Sequence, residues 1–151
     1  MTWIDNNSGC KGACDRVNTF IVPEDIKTKW CDADNECHDE LLVDSLNAYI
    51  NQLPANDKES HLIVLHQMGS HGPAYYKRPT EAFQRFKPSC DTNAIQGCSS
   101  EALINSYDNT ILYTDFVLSQ LIQTLEQNNN YQTGLWYLSD HGESTGERGM
   151  Y

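Results

Sequence analysis

Apolar positions in this chain cluster into a few segments separated by long polar stretches. Residues 61–67, HLIVLHQ, form a continuous apolar run without alternation, as expected of a strand buried on both faces of a parallel sheet. TWID at the start of the chain and GLWYLS at 134–139 read as two further strands. Between them the period changes. Residues 39–53 place Leu42, Leu46, Tyr49 and Ile50 on one side of a helix that ends before Pro54. Residues 101–126 form a longer helix with Ser100 as N-cap and Glu101 in its first turn. Its expected apolar stripe is Ile104, Tyr107, Ile111, Leu118, Leu121, Ile122 and Leu125. The pattern then dissolves in QNNNYQTG, a polar turn-forming stretch.

Strands alternating with helices indicate an α/β protein with a parallel sheet covered on both faces. Sites in such sheets lie at the carboxyl ends of the strands. All three strand exits are polar and glycine-containing: NNSGCKGACD, MGSHGPAYYKR and DHGESTGERG. If the strands are neighbours, the three loops converge on one site.

Charge narrows the function classes. The chain has 151 residues and a formal net charge of −11, which argues against a nucleic-acid partner, since such binding rests on clustered Lys and Arg. The acids concentrate between Glu24 and Glu40, whereas Lys77, Arg78, Arg85 and Lys87 lie within eleven positions. Both runs are expected to be solvated loop surface; the basic one could instead rim a site for an anionic substrate. No apolar run approaches the roughly 20 residues needed to cross a bilayer, and the first residues have neither the basic nor the apolar region of a signal peptide.

The six cysteines fall into close pairs, Cys10 and Cys14, Cys31 and Cys37, Cys90 and Cys98. Each pair lies in a loop-like stretch, so three local disulfides are expected, each pinning the shape of a short loop. A zinc site is the competing reading, weakened by spacings that match no usual ligand pair. Disulfides imply an oxidising compartment. The lack of an export signal conflicts with that compartment, so an upstream segment is expected.

Candidate chemistry lies at the strand exits. Asp140 and His141, followed by Gly142, offer a carboxylate and an imidazole that suit Zn²⁺; the plain alternative is a surface turn capped by Asp140. His71 in GSHGP sits in a rigid exposed turn, able to bind a metal or donate to a phosphate. His66 lies within a strand and is expected to be a satisfied core histidine. Lys11, between Cys10 and Cys14, could present an ammonium among backbone N–H groups, or could simply be exposed. Such parts suit metal-assisted phosphoryl or sulfuryl transfer. Ser70, Ser144 and Thr145 qualify as nucleophiles only by their hydroxyls.

Together, LHQMGSHGPAYYKR, ALINSYDNTILYTD, YLSDHGES and DNNSGCKGACDRV resemble the phosphoethanolamine transferases that modify lipid A. That group includes the mobilised colistin-resistance proteins and belongs to the alkaline phosphatase and sulfatase superfamily. The likeness covers essentially the whole chain; SDHGES alone would indicate only the superfamily. It implies an α/β/α catalytic domain on the periplasmic face of the bacterial inner membrane, monomeric and attached to an N-terminal bundle of membrane helices.

The implied reaction has two steps. A threonine attacks the phosphorus of phosphatidylethanolamine and diacylglycerol leaves; a lipid A phosphate then takes the phosphoethanolamine, the modification behind polymyxin resistance. By position, Asp140 and His141 resemble two ligands of the catalytic zinc. His71 resembles a histidine that binds the phosphoethanolamine group or a second zinc, and Asn7, Lys11 and Glu143 resemble substrate-contacting positions. The three local cysteine pairs match the family's disulfides.

The family's threonine nucleophile and glutamate zinc ligand would lie upstream of this chain, and a further histidine just after GERGMY. The expectation is a partial catalytic domain, incomplete at both ends and inactive alone. The alternatives are a sulfatase or phosphodiesterase of the same superfamily, or a non-catalytic, disulfide-stapled secreted module without metal affinity.

Overall fold

Three parallel strands make the sheet of this protein, a computed structural model that describes residues 1–150. The strand order is β2 (Asn18–Thr19), β1 (Thr2–Asp5), β3 (Ile63–His66), with β1 in the centre. The chain divides into two compact units, Met1–Met68 and Gly69–Tyr151, each with its own core.

In the first unit, helices α1 (Glu24–Trp30) and α2 (Glu40–Gln52) accompany the sheet. Register decides which side chains meet them. Ile4 pairs with Leu65 and Thr2 with Ile63, so these residues share one face, where Ile4, Ile26, Leu41 and Leu42 form the core with Ile63 and Leu65 packed against it. Trp3, Asp5, Val64 and His66 point to the other face and stay half-buried. The Cys31–Cys37 disulfide closes the connection between α1 and α2. Lys29 and Trp30, at the end of α1, both donate to Asp44 of α2, at 2.8 Å and 2.6 Å.

Asp39 precedes α2 as its N-cap residue, yet its carboxylate makes no capping bond. Instead it accepts from Asn6 Nδ2 at 2.7 Å and from the Met68 N–H at 2.9 Å. Asn6 follows β1 and Met68 lies just after β3, so one buried carboxylate, 3% exposed, fixes both strand exits. Asn6 reinforces the arrangement through its N–H to His66 O and its Nδ2 to Cys37 O.

The second unit is built on α3 (Ser100–Glu126), a 27-residue helix whose N-cap, Ser99, accepts from the Ala102 N–H at 3.2 Å. Residues 69–99 fold against it with only short 3₁₀ turns, so their backbone groups need partners other than a ladder. Buried polar residues of α3 provide them. Asn109 Oδ1 accepts from the N–H groups of Arg85 and Phe86, both at 2.8 Å, and its Nδ2 donates to Phe86 O at 3.0 Å. Ser106 Oγ accepts from the Cys90 N–H, and Thr110 Oγ1 donates to Ser70 Oγ. Tyr75, Cys90, Ile95, Ala102 and Leu103 form the apolar core of this unit.

The strands at TWID and within 61–67 and both expected helices form, as do all three disulfides, Cys10–Cys14, Cys31–Cys37 and Cys90–Cys98. Four expectations need correction. Residues 134–139 form no strand, and Trp136 and Leu138 are 88% and 67% exposed; without a ladder partner an apolar run has no sheet to join. The N-cap of α3 is Ser99 rather than Ser100. Ile104, Ile111 and Ile122 of the expected α3 stripe are exposed, because the buried face runs through Leu103, Ser106, Thr110, Tyr113, Val117 and Leu121. Helix α1 also lies where only acidic loop was expected, although Pro23 followed by Glu24 and Asp25 is a helix-start signal.

Substituting either buried clamp should be costly. Asn109→Ala leaves two N–H groups and a carbonyl unpartnered, and Asp39→Ala does so for Asn6 and Met68. Each should lower the unfolding free energy in urea by about 2–4 kcal/mol. A loss under about 0.5 kcal/mol would show that water replaces the bonds at no cost.

Candidate active site

In the first unit, the loop after β1 carries two of the expected site residues, Asn7 and Lys11. Asn7 donates from Nδ2 to Gln67 O at 3.3 Å and accepts the Ser8 N–H on Oδ1 at 2.7 Å. Its amide therefore braces the two strand exits while keeping a second N–H available. Lys11 is exposed in a tight turn closed by the Ala13 N–H to Cys10 O at 2.8 Å. Lys11 and Gly12 both have positive φ, 45° and 90°, a conformation that suits Gly and strains Lys. The Cys10–Cys14 disulfide spans this turn and constrains its backbone.

At the ends of β1 and β3, Asp5 and His66 are register partners, and His66 Nδ1 lies 2.6 Å from Asp5 Oδ1. The Trp3 ring packs 5.1 Å from the imidazole. His66 is thus satisfied, as expected, but by a strand-end carboxylate on a half-buried face rather than inside the core. Its partner Asp5 and the anchor Asp39 escaped sequence reasoning. The visible clue to Asp5 was its place at the exit of a strand.

In the second unit, two His-Gly pairs adopt the same local arrangement. His71 Nδ1 lies 2.7 Å from Gly72 O, and His141 Nδ1 lies 2.9 Å from Gly142 O. An Nδ1–H held by a carbonyl leaves Nε2 as the lone-pair nitrogen, the tautomer that metal-ligating histidines adopt. His141 Nε2 is 3.8 Å from Asp140 Oδ1, near the roughly 3.4 Å separating two donors on one tetrahedral zinc. Their side chains are 59% and 86% exposed. The pair fits zinc in donor type, but a zinc site uses more protein ligands than two. Among the described residues no group of three or more His, Cys, Asp or Glu gathers to complete it.

Glu143 joins the two loops. Its Oε1 lies 3.5 Å from the Gly72 N–H and its Oε2 3.5 Å from the Tyr75 hydroxyl, so the DHGE segment reaches the His71 turn. Gly72 is needed there: a Cβ would meet Tyr75 Oη at 2.7 Å. Arg78 Nε donates to His71 O at 2.8 Å and steadies the same turn. Burial first, and then the Glu143 carboxylate, push the Tyr75 hydroxyl up to about 12.

The three hydroxyl candidates are committed elsewhere. Ser70 accepts from Thr110 at 2.7 Å, and Ser144 and Thr145 bond to Glu147 at 3.0 Å and 2.9 Å. The Glu147 backbone N–H, then the Thr145 and Ser144 hydroxyls and the Thr145 N–H, hold the exposed Glu147 carboxyl down to about 2. The structure therefore sets Glu143 against the turn that carries His71, and Asp140 beside His141.

Comparison with known proteins gives the class to which this α/β scaffold belongs. The Sulfatase family model matches residues 1–151, and the chain belongs to that family. Phosphoethanolamine transferase EptA of Salmonella typhimurium is 51% identical over the whole chain, which spans 27% of that protein. Phosphatidylethanolamine transferase Mcr-1 of Escherichia coli is 42% identical, again over the whole chain and 28% of its own length. The integral membrane lipooligosaccharide phosphoethanolamine transferase A of Neisseria meningitidis matches with a TM-score of 0.88 at 41% identity, covering 99% of this chain and 27% of that one. The chain thus spans about a quarter of the curated relatives it matches.

Two titrations check this geometry. Tyr75 should ionise near about 12 by absorbance, and Glu143→Gln should bring it down only partly, because burial is the larger cause. From pH 10 to about 12 the unfolded chain releases this proton while the folded chain keeps it, so stability should fall as pH rises through that window. Conversely, the Glu147 carboxyl carbon should shift by NMR with a midpoint near about 2, and its contribution to stability should fade as pH falls from 4.5 toward that value. A Glu147 midpoint near 4.5 would mean that its hydroxyl partners do not hold it.

Proposed function

We propose that the protein carrying this chain is a zinc-dependent transferase that moves phosphoethanolamine from phosphatidylethanolamine to a lipid A phosphate. The single observation behind this reading is that Glu143 of SDHGES reaches the His71 turn of HQMGSHGP, in a chain 51% and 42% identical to two named transferases. Residues 1–151 form part of its catalytic domain, on the periplasmic face of the inner membrane. The Neisseria relative is an integral membrane protein, and a Campylobacter jejuni relative of 46% identity is a C-terminal periplasmic domain.

Asp140 and His141 are the residues of this chain that would hold zinc, which when bound lowers the pKa of a coordinated nucleophile and neutralises phosphoryl charge. Gly142 O keeps His141 in the tautomer with Nε2 outward. Glu143 supplies a carboxylate suited to the ethanolamine ammonium, and His71 presents Nε2 for a proton or hydrogen bond to the phosphoryl group. Lys11 offers an ammonium suited to an anionic group of the substrate, with Asn7 bracing its loop. The nucleophile of the covalent step is a threonine outside this chain, and the isolated chain is inactive.

The full-length protein should purify with zinc and transfer phosphoethanolamine to lipid A, read by mass spectrometry. Asp140→Ala and His141→Ala should each lower transfer by at least about 100-fold and reduce bound zinc. Full activity of both variants, or a metal-free active enzyme, would overturn the proposal.

A further inference from the structure

The second unit holds a feature that the transfer chemistry does not use. Residues 85–87, Arg-Phe-Lys, form a tip whose backbone is locked from below while its side chains face solvent. Asn109, only 2% exposed, bonds the N–H groups of Arg85 and Phe86 and the carbonyl of Phe86. Asn105 Nδ2 donates to Pro88 O at 3.0 Å, and Phe83 packs on Phe116 with ring centroids 4.6 Å apart. Phe83 is thereby turned inward, whereas Phe86 stays 44% exposed between two cations.

Among the described residues, neither cation is neutralised. Arg85 Nε donates to Ala82 O, and Lys87 Nζ approaches only the neutral oxygens of Gln84 and Ser89. Asp91 is the nearest acid in this network, reached through Ser89 Oγ, and among the described residues no carboxylate forms an ion pair with Arg85 or Lys87. An ordered loop that exposes an aromatic ring between two free cations, in a chain of net charge −11, is a local exception to the surface around it.

We propose that this tip docks on an anionic phospholipid surface, Phe86 entering the headgroup boundary while Arg85 and Lys87 reach lipid phosphates. Charge complementarity selects the partner: within about a Debye length of the surface, roughly 10 Å at 0.1 M salt, the chain's acidic faces are repelled while this tip is attracted. Three neighbouring side chains are too small for a specific protein interface, which buries about 800 Å² per partner. A bilayer requires no shape match, and one aromatic with two cations suits its interface. The proposal needs neither zinc nor transfer, so it stands or falls apart from the catalytic reading.

The test is co-sedimentation of the chain with sucrose-loaded vesicles of phosphatidylethanolamine and phosphatidylglycerol, against phosphatidylcholine vesicles, at low salt. The chain should partition onto the anionic vesicles, and added salt should weaken the binding. Phe86→Ser and the double variant Arg85→Ser/Lys87→Ser should each reduce partitioning by about 5-fold or more with unchanged circular dichroism, whereas Asp140→Ala should leave it intact. Equal binding to both vesicle types would overturn the proposal. So would undiminished binding by both tip variants, which would place the contact on another exposed apolar segment such as that around Trp136.

Discussion

The architecture depends on buried polar side chains that satisfy the backbone of its loops. A loop taken out of water must pair its N–H and C=O groups or lose the free energy of their hydration. Most folds solve this with ladders, but here long stretches between elements have none. Asp39 answers for the exits of β1 and β3, and Asn109 and Ser106 for the segment after residue 69. Each is a short side chain with little rotamer freedom, so it positions its loop closely at small entropic cost. Disulfides then fix the shapes of individual turns, as Cys10–Cys14 does around Lys11.

The same economy governs the candidate site. Both His-Gly pairs use the carbonyl of the following residue to set the tautomer. Glu143 belongs to one motif and meets the turn of the other, and Gly72 permits that approach because Tyr75 occupies the space a side chain would need. The serines and threonine of these loops are spent on holding the loops themselves, which leaves carboxylates, imidazoles and one ammonium as the groups with chemical reach.

Much of this was legible in the residues. The helix stopping before Pro54 and the paired cysteines announced their structures through local rules, and those rules held; the apolar run at 61–67 did form a strand, but one half-buried along its length rather than buried on both faces, because it lies at the end of the strand order. The motifs around His71 and Asp140 pointed to a family that the comparisons establish. Apolar periodicity misled in α3: a stripe drawn through Ile104, Ile111 and Ile122 missed the buried face, because Ser106, Asn109 and Thr110 are buried by the hydrogen bonds they make and not by hydrophobicity. The run at 134–139 misled for the opposite reason. Strand composition is a local property, whereas a strand exists only where a neighbour completes its ladder.

The chain by itself therefore determined its α/β class, the helices α2 and α3 and its disulfide pairs, all of which follow from local spacing and composition. The tertiary structure decided that Asp5 would hold His66, that Asp39 would tie two strand exits, and that Asn109 would turn Phe86 outward. Those outcomes rest on hydrogen bonds between residues separated by 23 to 61 positions, and polar pairs at such distances leave no periodic trace in a sequence.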